Sequence, residues 1–268
     1  MKQRLITGVV AGALFLGLCL LGGWWFQLLL TAMALIGYYE FVKMTGLSIK
    51  SGSAVLGYAA VLGFMIPWEK LDMSVPLTWV QGVWLLMFLF LCITVFSKNK
   101  TDIRIAAMLF IGALYIGTGF SYMAVSRSAP DGHGLFWTFL LLCCIWGSDA
   151  GAYFVGKAIG RNKLWPAISP NKTVEGAAGG VLISIVIAVI FAALSSGLLT
   201  FGQSIMIGLV SAVVGQLGDL VQSAYKRVYG IKDSGTLLPG HGGILDRCDS
   251  WIIVFPFIHI LTLLPYYQ

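Results

Sequence analysis

The sequence predicts an all-α, polytopic integral membrane protein of about nine transmembrane helices, and three observations carry that prediction. Mean hydropathy is +0.89, and 58% of the 268 residues are hydrophobic while 10% are charged, a balance foreign to soluble domains. Apolar runs recur at about 17 to 25 residues, the length that crosses a bilayer as a helix. With the N-terminus inside, all of the 17 Lys and Arg except Lys70 and Arg127 fall on the cytoplasmic side, as short basic loops require. Adding or removing one span scrambles that sorting, so the N-terminus is placed in the cytoplasm and the C-terminus outside.

The spans are read at 5–22, 24–40, 53–68, 76–97, 105–125, 135–156, 176–200, 204–225 and 251–267. Lys2 and Arg4 precede the first as they would a signal peptide, but no small-residue cleavage site follows and Gly22-Gly23-Trp24 leads straight into the second. The third carries Gly57, Gly63 and Pro67. Between the sixth and seventh, Arg161, Pro166, Ser169 and Pro170 break the helix and leave a loop at 157–175. A second long loop fills 226–250. Residues 1–268 thus form one transmembrane domain, with its chemistry expected in a region 146–250 built from these two cytoplasmic loops and the adjoining helices.

A net charge of +6 and a pI near 9.1 would suit nucleic acid, but here the cations decorate one membrane face, so no nucleic-acid partner is expected. The five cysteines have no regular spacing and His133, His241 and His259 are scattered, which argues against a disulfide framework and a zinc site.

Polarity gathers in two places. Asp149 and Asp219 lie inside spans, where an ionised carboxylate costs about 2.5–3.5 kcal/mol and faces a wet cavity or a partner. On the eighth span Gln216, Asp219, Ser223 and Lys226 share one helical face, a polar stripe running to the loop 226–250. One reading pairs Asp219 with Lys226 or Arg227. The other gives Asp219, with Asp246 or Asp249 returning from the loop, a hard cation held by oxygens. Asp249 with Ser250 is equally suited to cap the Trp251 helix. Gly240, Gly242 and Gly243 around His241 let backbone amides approach a ligand closely, and Lys226, Arg227, Lys232 and Arg247 surround that turn with charge suited to a polyphosphate.

The run Ser223, Lys226-Arg227, Lys232-Asp233, Gly235, Leu238-Pro239, His241-Gly242-Gly243-Ile244, Asp246-Arg247 and Asp249 resembles the signature of the bacterial phosphatidate cytidylyltransferases, or CDP-diacylglycerol synthases. Tyr225 and Cys248 depart from it, both at packing positions. "SDAGAYFVGKAIGR" and "SPNKTVEG" within 146–180 are similar to the family segment that precedes the signature. Within the latter, Lys172 and Glu175 are read as loop residues near the nucleotide, with a plain helix start at Thr173 as the alternative.

The resemblance implies that CTP and phosphatidate react to give CDP-diacylglycerol and pyrophosphate at the cytoplasmic face of the bacterial inner membrane. It implies Mg²⁺ on Asp219 and Asp246, with Asp249 as a further ligand and room for a second cation. Lys226, Arg227, Lys232 and Arg247 would hold phosphates, with Ser223, Gly242, Gly243 and Lys172 also in contact with substrate. His241 would orient a phosphate oxygen, protonate the leaving group, or serve the turn alone. Two rivals remain at this level: an ion-coupled transporter using Asp149 and Asp219, and a CTP-dependent polyprenol kinase, which releases CDP instead. Gly208, Ser211 and Gly215 suit close helix packing within the chain or across a homodimer.

Overall fold

Each of the nine hydrophobic segments contains a helix in the computed structural model, which describes residues 2–71, 77–237, 240 and 242–267. The helices are α1 (Lys2–Leu21), α2 (Gly23–Met44), α3 (Gly52–Met65), α4 (Trp79–Phe96), α5 (Ile103–Arg127), α6 (Gly134–Ile159), α7 (Val174–Leu194), α8 (Phe201–Val228), α9 (Leu245–Cys248) and α10 (Trp251–Ile260). Their starts follow from local chemistry. Ser51, Asp102 and Thr173 each accept a backbone N–H from the first turn, and Thr78 with Gln81 and Thr200 with Gln203 form reciprocal capping boxes.

Six helices, α2 and α4 through α8, are long and apolar enough to cross a membrane, whereas the apolar parts of α1, α3 and α10 are shorter. The third and ninth segments therefore stop short of the ranges expected from hydropathy. In α3 the reason is Pro67: Ile66 before it turns to extended backbone (φ −68°, ψ 124°), as the proline ring demands. Helix α10 has 10 residues, about 15 Å at 1.5 Å per residue, or half a hydrocarbon core. Its Pro256 leaves the Ile252 carbonyl without its usual helical donor. Gly119 of α5 packs against that carbonyl so closely that a Cβ there would lie 2.6 Å from Ile252 O.

Between the helices and their connecting turns lies one antiparallel hairpin, β1 (Lys163–Trp165) and β2 (Ser169–Thr173), with Lys163 opposite Thr173. It occupies the loop expected at 157–175. Glu175 ties its base to the end of α6, accepting the backbone N–H of Arg161 and both the N–H and the side-chain amide of Asn162.

Helix α5 runs through the middle and touches α2, α3, α4, α6 and α10. The α6–α7 and α7–α8 seams are close because glycine removes the side chain between backbones. A Cβ on Gly176 or Gly180 of α7 would lie 2.7 Å from the carbonyl of Ala152 or Ser148 in α6. On α8, Gly208 meets Ile185 of α7 and its carbonyl accepts the Ser184 hydroxyl at 2.9 Å, while Gly215 faces Ser250 and Val254. Gly208, Ser211 and Gly215 are all buried, so the small-residue face is used within the chain.

The two cations that break the sorting sit together at one end of the bundle. Arg127 donates to the last carbonyls of α1 at Cys19 (2.7 Å) and Leu20 (3.0 Å), and Lys70 donates to Ser128 beyond α5. Asp219, Asp246 and the hairpin lie towards the opposite end, where α2, α6 and α8 finish.

Candidate active site

The polar stripe on α8 forms as its spacing requires, but its ion pairs are not those a single helix suggests. Asp219 accepts the Ser223 hydroxyl at 3.2 Å, and its charge partner is Lys172 of β2, whose ammonium is 2.6 Å away. Neither Lys226 nor Arg227 pairs with it. Gln216, one turn earlier, spans the α6–α7 seam by donating to the Ser148 hydroxyl and the Ala177 carbonyl. Lys172 is delivered by the hairpin, and Thr173 next to it caps α7 by accepting Gly176 N–H. Helix α7 thus starts from its cap at Thr173, and Lys172 lies beside Asp219 on the wall of a cavity. Glu175 closes the hairpin base.

Lys226 is 8% exposed and pairs with Asp246 at 2.7 Å. The other Asp246 oxygen accepts Ser234 N–H at 2.8 Å, Ser234 hydroxyl at 3.0 Å and Gly243 N–H at 2.9 Å. Burial alone raises the Asp246 carboxyl, but the Lys226 hydrogen bond and the Gly243 N–H overcome it and hold the group below its ordinary value. The glycines here serve that carboxylate. Gly242 has φ +83°, and a Cβ on it would lie 2.6 Å from Asp246 Oδ2, so the Gly243 amide that spacing offered to a phosphate is committed to Asp246. His241 lies outside the described residues.

The sequence reading passed over Glu40. It sits near the end of α2, is 2% exposed, and accepts Ile244 N–H (2.9 Å), Leu245 N–H (3.0 Å) and the Ser234 hydroxyl (3.0 Å). The signal was available: an acidic residue within an apolar span, the pattern that singled out Asp149 and Asp219.

Asp149 and Asp219 line two cavities at once. The first, about 430 Å³, is bounded by α6, α8 and the hairpin and carries Tyr153, Lys157, Asn171, Lys172 and Gln216. The second, about 720 Å³, has Asp246, Arg247 and Asp249 at one end and opens along an apolar wall of α1 and α2 that includes Ala11, Gly12, Phe15, Leu29, Met33 and Ile36. Arg227 is exposed and donates to Ile168 O, joining α8 to the hairpin, and Lys232 is exposed nearby in sequence. Neither lines either of these two cavities.

Asp249 does not cap the Trp251 helix. Ser250 after it is in the right-handed helical region without a side-chain cap bond, and Asp249 Oδ1 accepts only from Ser250. Its Oδ2, like both oxygens of Asp149, receives no hydrogen bond among the described residues. Burial first, then the charge of Asp219, push the Asp249 carboxyl up to about 7. Four carboxylates line the joined cavities, with an ammonium against Asp219 and another against Asp246, and they form a donor set that suits a hard cation. Among the described residues no three acidic, His or Cys side chains make a ready cage. Magnesium needs no such cage, since it uses one or two carboxylates, waters and substrate phosphate.

The family model described as "Cytidylyltransferase family" matches residues 2–264. A phosphatidate cytidylyltransferase of Bacillus subtilis (strain 168) is 41% identical over 265 residues, covering 98% of each chain. One from Staphylococcus haemolyticus (strain JCSC1435) is 37% identical, and one from Staphylococcus aureus (strain COL) is 35% identical, each covering 98% of this chain and 99% of its own. With a helical bundle, a carboxylate-lined double cavity and agreement along almost its whole length, the chain belongs to the cytidylyltransferase family.

Proposed function

We propose that this protein transfers the cytidylyl group of CTP to phosphatidate, giving CDP-diacylglycerol and pyrophosphate for phospholipid synthesis. The observation that carries this reading is the pair of cavities meeting at Asp149 and Asp219. A water-soluble polyanion and a bilayer-bound phosphate need two different entrances and one meeting point. The cavity with Lys157 and Lys172 suits the nucleotide, and the groove between α1 and α2 suits acyl chains, with the lipid phosphate at Arg247 and Asp249.

A non-bridging oxygen of the phosphatidate phosphate forms a bond to the α-phosphorus of CTP while the α–β bridging bond breaks, and pyrophosphate leaves with that electron pair. The attacking oxygen is already anionic, so positioning and charge neutralisation do the catalysis. Lys172 exchanges Asp219 for phosphate oxygens as the nucleotide enters. Lys226 holds Asp246 in place from below, and Ser223 orients Asp219. Arg227, Lys232 and His241 form the rim that gathers the nucleotide, beside the turn at Gly242 and Gly243.

Asp219, Asp246 and Asp249 would hold Mg²⁺, with Asp149 available to a second cation, and a bound metal would supply neutralisation of phosphate charge. The distribution of basic loops supports a site facing the cytoplasm at the bacterial inner membrane, in a nine-segment topology with N-terminus inside and C-terminus outside.

Purified protein in detergent, given phosphatidate, α-labelled CTP and Mg²⁺, should form labelled lipid and release pyrophosphate. Asp219→Ala and Asp249→Asn should each lower the rate by about 100-fold or more, with no loss of thermal stability. Asp246 is a poorer probe, because its removal leaves Lys226 buried and unpaired, which costs about 3–5 kcal/mol. Labelled CDP would indicate a kinase. No turnover in intact, metal-supplied protein would return the transporter reading.

A further inference from the structure

We infer that Glu40 is a positioning residue of the reaction, holding the loop that carries Asp246 to the helix that walls the lipid groove. The contacts form an unbroken chain. Glu40 Oε1 accepts Ile244 N–H, and Oε2 accepts Leu245 N–H and the Ser234 hydroxyl, so one carboxylate grips both ends of the 234–245 segment. Ser234 also touches Asp246 through its N–H at 2.8 Å and its hydroxyl at 3.0 Å. Asp246 in turn holds Lys226 of α8.

The fit around Glu40 is too close to be incidental. A Cβ at Gly235 would lie 2.5 Å from Oε1, and one at Gly243 would strike Oε2, so two glycines of the loop leave room for this side chain. Ile36, one helical turn before Glu40, lines the lipid groove. The carboxylate therefore ties the acyl-chain wall to the loop bearing Asp246, Arg247 and Asp249. All three partners are N–H or O–H donors, and no Lys, Arg or His among the described residues forms an ion pair with Glu40. An amide at this position presents N–H groups where the backbone already presents N–H groups, so Glu40→Gln loosens the loop while keeping the volume of the side chain.

This inference rests on the site proposed above, and the experiment separates the two. Initial rates are measured for Glu40→Gln, Ser234→Ala, the double variant, Asp219→Ala and the packing control Tyr38→Phe, with CTP, phosphatidate and Mg²⁺ varied in turn. Glu40→Gln should lower kcat by about 10- to 100-fold, the effect of a displacement near 1 Å. KM for both substrates should stay within about twofold, and half-saturating Mg²⁺ should rise. Because Ser234 joins Glu40 to Asp246, the double variant should lose less than the product of the single losses. Tyr38→Phe should leave kcat unchanged.

Wild-type kcat and Mg²⁺ dependence in Glu40→Gln, with Asp219→Ala inactive, would overturn the role of Glu40 alone. Activity in Asp219→Ala would overturn both. If Glu40→Gln does not fold, Ser234→Ala decides: lost kcat with a raised Mg²⁺ requirement supports the inference, and an unchanged enzyme overturns it.

Discussion

Two lysines each pair with one carboxylate of the site, and the difference between the pairs explains what each can do. Lys226 is buried with Asp246, whose oxygens are otherwise filled by backbone and hydroxyl donors, so this pair is architecture before it is chemistry. Lys172, on the hairpin and 28% exposed, pairs with Asp219, which is 33% exposed, and such a contact is readily exchanged for a phosphate. Asp249 has no cationic partner within ion-pair distance among the described residues and is pushed to about 7 from 3.8 by burial and then by Asp219. Folding raises this pKa, so the folded protein takes up a proton there between those values. Without cation, stability should therefore fall as pH rises from about 4 to about 7. With Asp249 as the proposed ligand, Mg²⁺ would have to displace that proton, so its apparent affinity should grow close to tenfold per pH unit below 7 and level off above it, read from half-saturating Mg²⁺ at pH 6, 7 and 8. At this scale the carboxylates were legible in the sequence because charge inside a span is conspicuous, and Glu40 carried the same mark. Which lysine faces which carboxylate was not, because Lys172 and Asp219 are 47 positions apart and meet only across α6, α7 and α8.

The helices of the site are held by glycine seams and by caps readable in the sequence, but the seams fix the distances. A Cβ at Gly208 would lie 2.7 Å from Ile185 Cα and 2.9 Å from its backbone nitrogen, so there is no flexible side chain to yield. Gly208→Ala should destabilise the protein by about 1–3 kcal/mol, seen as a lower unfolding temperature in detergent. An unchanged temperature would mean that α7 and α8 do not meet at this seam. The spacing of Gly208, Ser211 and Gly215 showed a packing face without saying whose helix it meets. The hairpin at 163–173 was legible only as a break in the helical pattern, because Glu175 and Arg227 that tie it down come from α7 and α8. The shortening of α10 follows from the positive φ of Thr262 (48°) soon after Pro256, a local event that hydropathy averages away.

Across the whole molecule, charge sorting and cavity layout agree on one active end. A bulky residue at Gly12, which lines the α1–α2 groove and has nothing within 4 Å of a Cβ position, should obstruct the lipid alone. Gly12→Leu is expected to raise KM for phosphatidate several-fold with KM for CTP unchanged, and equal effects on both would place the lipid elsewhere. In intact cells, with the partly exposed Cys92 and Cys143 replaced, Lys70→Cys should react with an impermeant maleimide from outside and Lys232→Cys only after permeabilisation. The reverse pattern would invert the topology. The sequence by itself determined the membrane class, the helical segments and the cluster of acids and bases around 219–249, because length, hydropathy and helical spacing are local properties of a chain in a bilayer. Only the tertiary structure decided that Lys172 neutralises Asp219, that Glu40 grips the loop of Asp246, and that two cavities meet at Asp149 and Asp219. Those are contacts between distant segments, and they form only when the packed bundle brings buried groups from separate helices within reach of one another.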